Sequence, residues 1–316
     1  MSSRVDKILF VKLSAMGDIV HAMPAAMDIK RAFPNAQLHW IVQSNFQDLL
    51  AGHPAVDKLI PIPKRPSLSD LWSLRKQLRG ERYDVALDMQ GLLKSARLLW
   101  ISGAEKRLGF QWQREGARFF SKAIQTGAKH VVDQYRAVAV ALGANSEVTE
   151  FGLNPTESSI LKVDSLMEQI GTTGRIAINV GSAQIEKQWP RTRFADLITK
   201  LQERGKSPFF IGGPMDVGSC DAINQGLQNR IPSLAGKTSL SELVAVLSRS
   251  DLHVGGDTGS THIAVALNKP VACMMGPTDP ARSGPYGRPQ SVIYEGANGL
   301  SSISADDLLK IILNQI

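Results

Sequence analysis

Val254-Gly255-Gly256-Asp257-Thr258-Gly259-Ser260-Thr261-His262 follows the short apolar stretch Asp251-Leu252-His253-Val254 and leads into helix-forming residues that run from Thr261 to Leu267 and stop at Asn268-Lys269-Pro270. An apolar run, a glycine-rich turn and then a helix describe a strand whose carboxyl end turns directly into a helix. Glycines let the backbone approach a ligand closely. The free N–H groups and dipole of a new helix attract an anion, and a diphosphate suits them best. A plain turn capped by Asp257 or Thr258 has the same sequence signature, so the rest of the chain has to decide.

The same order recurs on both sides. Lys7 to Leu13 is an apolar run of strand length, followed by Ser14-Ala15-Met16-Gly17-Asp18 and a helical pattern from Ile19 to Phe33. Strands at Gln37 to Val42 and Val56 to Ile60 flank a short helix, Asn45 to Leu50. Pro61-Ile62-Pro63-Lys64-Arg65-Pro66 reads as a loop, Ser67 to Leu78 as a helix, Asp84 to Asp88 as a strand and Gly91 onward as another helix start. Arg107 to Phe110 suggests a fifth strand, and Gln111 to Thr126 carries no clear pattern. Composition shifts at Ser146 to Glu157. A second series then begins: Arg175 to Val180, Phe194 to Arg204, Pro208 to Ile211, Ser233 to Ala235, Leu240 to Ser248, the opening stretch, and Val271 to Met275 closing the sheet.

Such alternation predicts parallel sheets wrapped by helices. The expected fold is α/β, with two Rossmann-like doubly wound domains at 1–155 and 156–304 and a last helix at 305–316 packing back toward the first. Ligands at the carboxyl ends of the strands would then bring residues 14–18 and 255–260 around one interdomain cleft.

A chain of 316 residues is long enough for two domains of roughly 150 residues each. Apolar content is 43%, and no run approaches the ~18 apolar residues of a membrane span. The N-terminus lacks the apolar region and cleavage site of a signal peptide, which predicts a cytoplasmic protein. Cys220 and Cys273 are too few for a disulfide framework or a zinc site. Residues 1–150 carry 21 Lys and Arg against 14 Asp and Glu, and the remainder is balanced, so the whole net charge of +7 lies in the first half. That half is suited to an anionic partner. Nucleic acid is disfavoured, because the basic residues are not interleaved with aromatics. The chain has no Asp-x-Asp pair, no His/Cys cluster at metal spacing, no G-x-G-x-x-G and no P-loop lysine. A metal-bridged nucleotide or a nicotinamide cofactor is therefore not expected.

Asp18 stands at a strand end beside a helix start, where a carboxylate can take a proton from an attacking hydroxyl or cap the helix. His21, one turn on, suits packing. Lys187 and Ser182, after the strand ending at Val180, could meet a diphosphate. Asp216, after Gly212-Gly213-Pro214, could accept from ribose hydroxyls or cap a helix. Gln90, Lys94 and Ser95 open a helix after Asp88 and suit an anionic acceptor.

Lys12-Leu13-Ser14-Ala15-Met16-Gly17-Asp18-Ile19-Val20-His21, Asp88-Met89-Gln90-Gly91-Leu92-Leu93-Lys94-Ser95-Ala96, Lys187-Gln188-Trp189-Pro190, Asp257-Thr258-Gly259 with His262, and Gly276-Pro277-Thr278-Asp279-Pro280 occur in this order along nearly the whole chain. Together they closely resemble the lipopolysaccharide heptosyltransferases, glycosyltransferase family 9. The first two motifs look most like members that add the first heptose to Kdo. The resemblance implies a GT-B fold and inverting, metal-independent transfer from ADP-heptose to Kdo-lipid A at the cytoplasmic face of the inner membrane. By position it makes Asp18 the general base. Ser182, Lys187, Asp257, Thr258, Gly259 and His262 would line the donor, with Asp216 at its ribose. Lys64, Arg65 and Arg114 would grip acceptor carboxylates and phosphates. Arg75, Lys76 and Arg79 are alternatives, since the loop at 63–66 has fewer arginines than the family's. A further family arginine falls near Gln134, two residues from Arg136. A later core heptose, another nucleotide sugar, or a two-lobed binding protein without chemistry are the competing readings.

Overall fold

Four consecutive buried residues, Ile8 to Val11, mark β1 (Lys7–Val11) as a strand covered on both faces, as in a parallel sheet flanked by helices. The structure is a computed structural model that describes residues 5–168, 170, 174–181, 188–296 and 299–316. The chain divides into two compact units, Met1–Leu153 and Asn154–Ile316.

In the first unit β1 leads to α1 (Met16–Ala32), β2 (Gln37–Gln43), β3 (Lys58–Ile62), α2 (Leu68–Glu81), β4 (Val85–Asp88), α3 (Leu93–Ser102), β5 (Lys106–Phe110), β6 (Lys122–Ile124) and α4 (Val131–Leu142). The sheet order is β3-β2-β1-β4-β5-β6, with every pair parallel. The winding reverses between β1 and β4, and a ligand site is expected beyond the carboxyl ends of these two strands.

Three local departures from the sequence reading have physical causes. β3 runs into the expected loop, pairing Val42 with Pro61; β3 is an edge strand, where a missing N–H is tolerated. β6 emerges from the unpatterned stretch 111–126 and is too short to show alternation. α1 starts three residues earlier than Ile19, which makes Asp18 its third residue.

The second unit contains α5 (Glu157–Glu168), β7 (Arg175–Asn179), α6 (Arg191–Gln202), β8 (Ser207–Ile211), α7 (Val217–Gln225), α8 (Leu240–Ser248), β9 (Leu252–Gly256), α9 (Gly259–Ala266), β10 (Val271–Met275), α10 (Pro280–Ser283), β11 (Val292–Tyr294) and α11 (Ala305–Leu313). Its parallel sheet runs β11-β10-β9-β7-β8 and reverses between β7 and β9. Ser233 makes only a single bridge to Phe210, so 233–235 is not a full strand, and β11 rather than β10 forms the edge. The apolar face of α11, Leu308, Leu309 and Ile312, joins the second unit's own core with Leu197, Leu201 and Trp189. Two doubly wound parallel units of this kind make the fold α/β of the GT-B class.

Candidate active site

In the first unit the site grows from the ends of β1 and β4. Gln90 joins them: its side-chain oxygen accepts the N–H groups of Leu13 at 3.0 Å and Ser14 at 3.1 Å. Asp88, fully buried at the end of β4, accepts the N–H groups of Gln90 at 2.9 Å and Gly91 at 2.8 Å through Oδ1. Its other oxygen has no hydrogen-bond partner among the described residues, and burial pushes its pKa up. Gly91 has φ +70°, and a Cβ there would overlap the Trp112 carbonyl, so only glycine fits this turn.

Asp18 lies in the first turn of α1, 47% exposed, with Oδ2 3.3 Å from the N–H of Ala15. The Lys12 ammonium stands 3.8 Å from that carboxylate. Lys12 itself is buried and donates to the Tyr135 hydroxyl at 2.8 Å. Burial lowers its pKa, opposed by the charges of Asp18 and Asp88. A half-exposed carboxylate at a helix N-terminus, beside a fixed cation, is placed to accept a proton from a ligand hydroxyl.

Lys64, Arg65, Lys94 and Arg114 are all exposed. Lys64 and Lys94 line one cavity with Leu13 and Gln43, and the Arg114 N–H bonds to the Gly91 carbonyl at 2.8 Å, which ties its loop to the β4–α3 turn. Ser95 takes the capping role: it is fully buried, accepts from the Leu92 N–H and donates to the Leu92 carbonyl. His21 is buried in α1 with its ring 5.7 Å from that of His130, edge to face. Gln134 donates to the carbonyls of Ala128 and Lys129. Arg136 is buried and pairs with the fully buried Asp28 at 2.8 Å. Of the alternative cations, Arg79 is engaged by the Ile101 carbonyl at 3.0 Å, whereas Arg75 lines the cavity.

In the second unit Asp257, Thr258 and Gly259 form the turn from β9 to α9, with Thr258 at the cap position. The N–H groups of the first residues of α9 have no intrahelical acceptor and point out of the turn. Asp257 Oδ1 lies 3.2 Å from His262 Nε2, so a buried histidine one turn into the helix holds the carboxylate. Asp216 accepts the Gly213 N–H at 2.7 Å; a Cβ on Gly181 or Gly212 would collide with its carboxylate, so these glycines let it sit against the ends of β7 and β8. Trp189 is buried and donates to the Ile303 carbonyl at 3.0 Å, anchoring the segment after the 182–187 stretch. Ser182 and Lys187 lie outside the described residues. Asp279 caps α10 through the Ala281 N–H. Among the described residues no group of three or more His, Cys, Asp or Glu side chains is arranged to hold a metal ion.

The family model for glycosyltransferase family 9 (heptosyltransferase) matches residues 71–310. The chain belongs to glycosyltransferase family 9. Lipopolysaccharide heptosyltransferase 1 of Pseudomonas aeruginosa is 30% identical over 304 residues, which are 90% of this chain and 82% of that protein. Escherichia coli heptosyltransferase WaaC, solved with ADP, superposes with a TM-score of 0.82 at 26% identity, covering 98% of this chain and all of WaaC. A family 9 structure from Veillonella parvula gives a TM-score of 0.88 at 22% identity over 99% of this chain and 98% of its own. This family 9 protein is thus a glycosyltransferase of the heptosyltransferase type, and the reading as a binding protein without chemistry is set aside.

Sequence reasoning missed the polar network beneath the α9 turn of this family 9 chain. His253, buried in β9, donates from Nδ1 to the Ala177 carbonyl at 3.0 Å, which leaves Nε2 of the neutral ring as an acceptor. Ser260 Oγ faces that nitrogen at 3.3 Å and receives Asn179 Nδ2 at 2.7 Å. The network links the ends of β7 and β9. A histidine inside the apolar run Leu252 to Val254 was the available signal. Burial pushes the His253 pKa down from 6.5 to about 4. The unfolded chain therefore takes up a proton that the fold refuses. The stabilisation is complete above about pH 6.5 and is lost as pH falls toward 4, a change of about 3 kcal/mol. Thermal melts across this window should fall more steeply for the wild type than for His253→Gln; parallel curves would refute the assignment.

Proposed function

We propose that this chain transfers heptose from ADP-heptose to Kdo-lipid A, inverting the anomeric centre in a single metal-independent displacement at the cytoplasmic face of the inner membrane. The first unit holds the acceptor and the base, and the second unit holds the donor. Asp18, half-exposed at a helix N-terminus beside buried Lys12 where the first sheet reverses its winding, is the observation that carries this reading. As an acceptor hydroxyl oxygen bonds to the anomeric carbon, its proton passes to the Asp18 carboxylate and the bond to the ADP oxygen breaks. The N–H groups at Thr258 and Gly259 and the dipole of α9 meet the charge that develops on the leaving diphosphate. Asp257, held by His262, orients donor hydroxyls, and Asp216 faces the ribose. The donor roles of Ser182 and Lys187 rest on their motif. Lys64, Arg65, Lys94 and Arg114 receive the acceptor's anionic groups. Gln90 contributes its amide nitrogen, since its oxygen holds β1.

The names of the relatives support this reading: the solved E. coli WaaC complexes contain ADP and ADP-2-deoxy-2-fluoro heptose, which bears on the donor, and the Pseudomonas aeruginosa relative is a lipopolysaccharide heptosyltransferase, which bears on the acceptor class. The purified protein is expected to release ADP from ADP-heptose only when Kdo-lipid A is present, at a rate unchanged by EDTA. Turnover on an already heptosylated acceptor but not on Kdo-lipid A would move the reaction to a later heptose, and loss of turnover with EDTA would overturn metal independence.

A further inference from the structure

Two donor residues of the second unit stand at the ends of different strands. Thr258 is at the N-terminal cap of α9 after β9, and Asp216 follows β8. A nucleoside diphosphate spans both, so it binds well only where their spacing is fixed in advance. Asn179 joins them, at the end of β7, the strand that lies between β9 and β8 in the sheet.

Asn179 uses both ends of its amide. Its Oδ1 accepts the Gly181 N–H at 2.8 Å, and its Nδ2 donates to Ser260 Oγ at 2.7 Å. Gly181 is the residue against which the Asp216 carboxylate rests, with no room for a Cβ between them. Ser260 is the second residue of α9, buried, with Oγ 3.0 Å from the Thr258 hydroxyl. These bonds have one consistent direction. His253 Nε2 is an acceptor, and Thr261, 3.2 Å from it, already donates to the Gly256 carbonyl at 2.7 Å. Ser260 therefore gives its single hydrogen to His253 and accepts from Asn179 and Thr258. Gly255 leaves room for that contact, since a Cβ there would stand 3.0 Å from His253 Nε2. Apolar side chains at 179, 253 and 260 would serve packing as well. What the directed chain adds is a single orientation of the turn.

We propose that Asn179 is a positioning residue for the nucleoside diphosphate: through Ser260 it orients the Thr258 turn that meets the diphosphate, and through Gly181 it seats the Asp216 carboxylate that faces the ribose. The proposal rests on the donor reading above and deepens it. Titration calorimetry of the full chain with ADP reads the effect without turnover. Ser260→Ala cuts the diphosphate arm alone. It should bind ADP about tenfold more weakly than the wild type, because buried polar groups lose their partners, while its affinity for adenosine, followed by ligand-observed NMR, stays unchanged. Asn179→Leu cuts both arms and should weaken the binding of ADP and of adenosine. In steady state each variant should raise KM for ADP-heptose about tenfold and leave kcat within about threefold, the signature of lost binding common to ground and transition states. A merely structural role would lower the melting temperature and leave the ADP affinity of the folded protein unchanged. ADP affinity within about twofold of the wild type in both variants would overturn the proposal and leave the donor reading standing. Equal loss of adenosine affinity in Ser260→Ala would overturn the division into two arms. Absence of ADP binding by the wild type would overturn the donor reading, and the proposal with it.

Discussion

Asp18→Asn is expected to lower turnover by about 10²–10⁴-fold, the usual contribution of a positioned general base, while the affinity for ADP-heptose stays unchanged. The asparagine side chain has the same shape, and its oxygen can keep the 3.3 Å approach to the Ala15 N–H. What it loses is the ability to take up a proton at the start of α1. Because Asp18 belongs to the first unit, and the residues assigned to the diphosphate belong to the second, the change should fall on kcat rather than on donor binding. Isothermal titration with donor and steady-state turnover with Kdo-lipid A separate the two. Undiminished turnover would reduce Asp18 to a helix-capping residue, a role worth only about 0.3–1 kcal/mol of stability.

Arg136→Met should destabilise the first unit by about 3 kcal/mol, at the lower end of what breaking a buried ion pair costs. Arg136 Nε meets Asp28 Oδ2 at 2.8 Å, and its remaining nitrogens reach Thr149 Oγ1 at 2.6 Å and the carbonyls of Ser146 and Val148 at 2.6 and 2.8 Å. Methionine fills similar space but leaves the fully buried Asp28 with Arg31 as its remaining ion-pair partner among the described residues. Urea denaturation measures the loss. A double change, Asp28→Leu with Arg136→Met, should recover part of it, since a buried pair costs more to break than to replace. A single-variant loss below about 1 kcal/mol would mean that the clamp is unimportant. Arg136 thus braces residues 146–149 against α1.

The fold was legible because strand and helix periods alternate along the chain and because glycine turns stand at the strand ends. Strand edges were less so. Pro61 reads as a loop residue until β3 is known to be an edge, and β6 and β11, of three residues each, carry too little pattern to detect. The partly exposed residues Asp18 and the turn at 257–259 could be read from local order alone. Their supports could not, since Lys12 meets Tyr135 across 123 residues and His253 meets Ala177 across 76. Burial turned these polar residues into structural ones. Ser95 shows the converse: next to Lys94 in a basic helix start, it is enclosed and bonded to Leu92.

The general-base assignment is tested most directly by a crystal structure of the chain with ADP-2-deoxy-2-fluoro heptose and a soluble Kdo acceptor. The account predicts the accepting hydroxyl of Kdo within about 2.6–3.2 Å of an Asp18 oxygen, with the diphosphate at the N-terminus of α9. An acceptor hydroxyl held by a different carboxylate, with Asp18 turned back onto the Ala15 N–H alone, would contradict it.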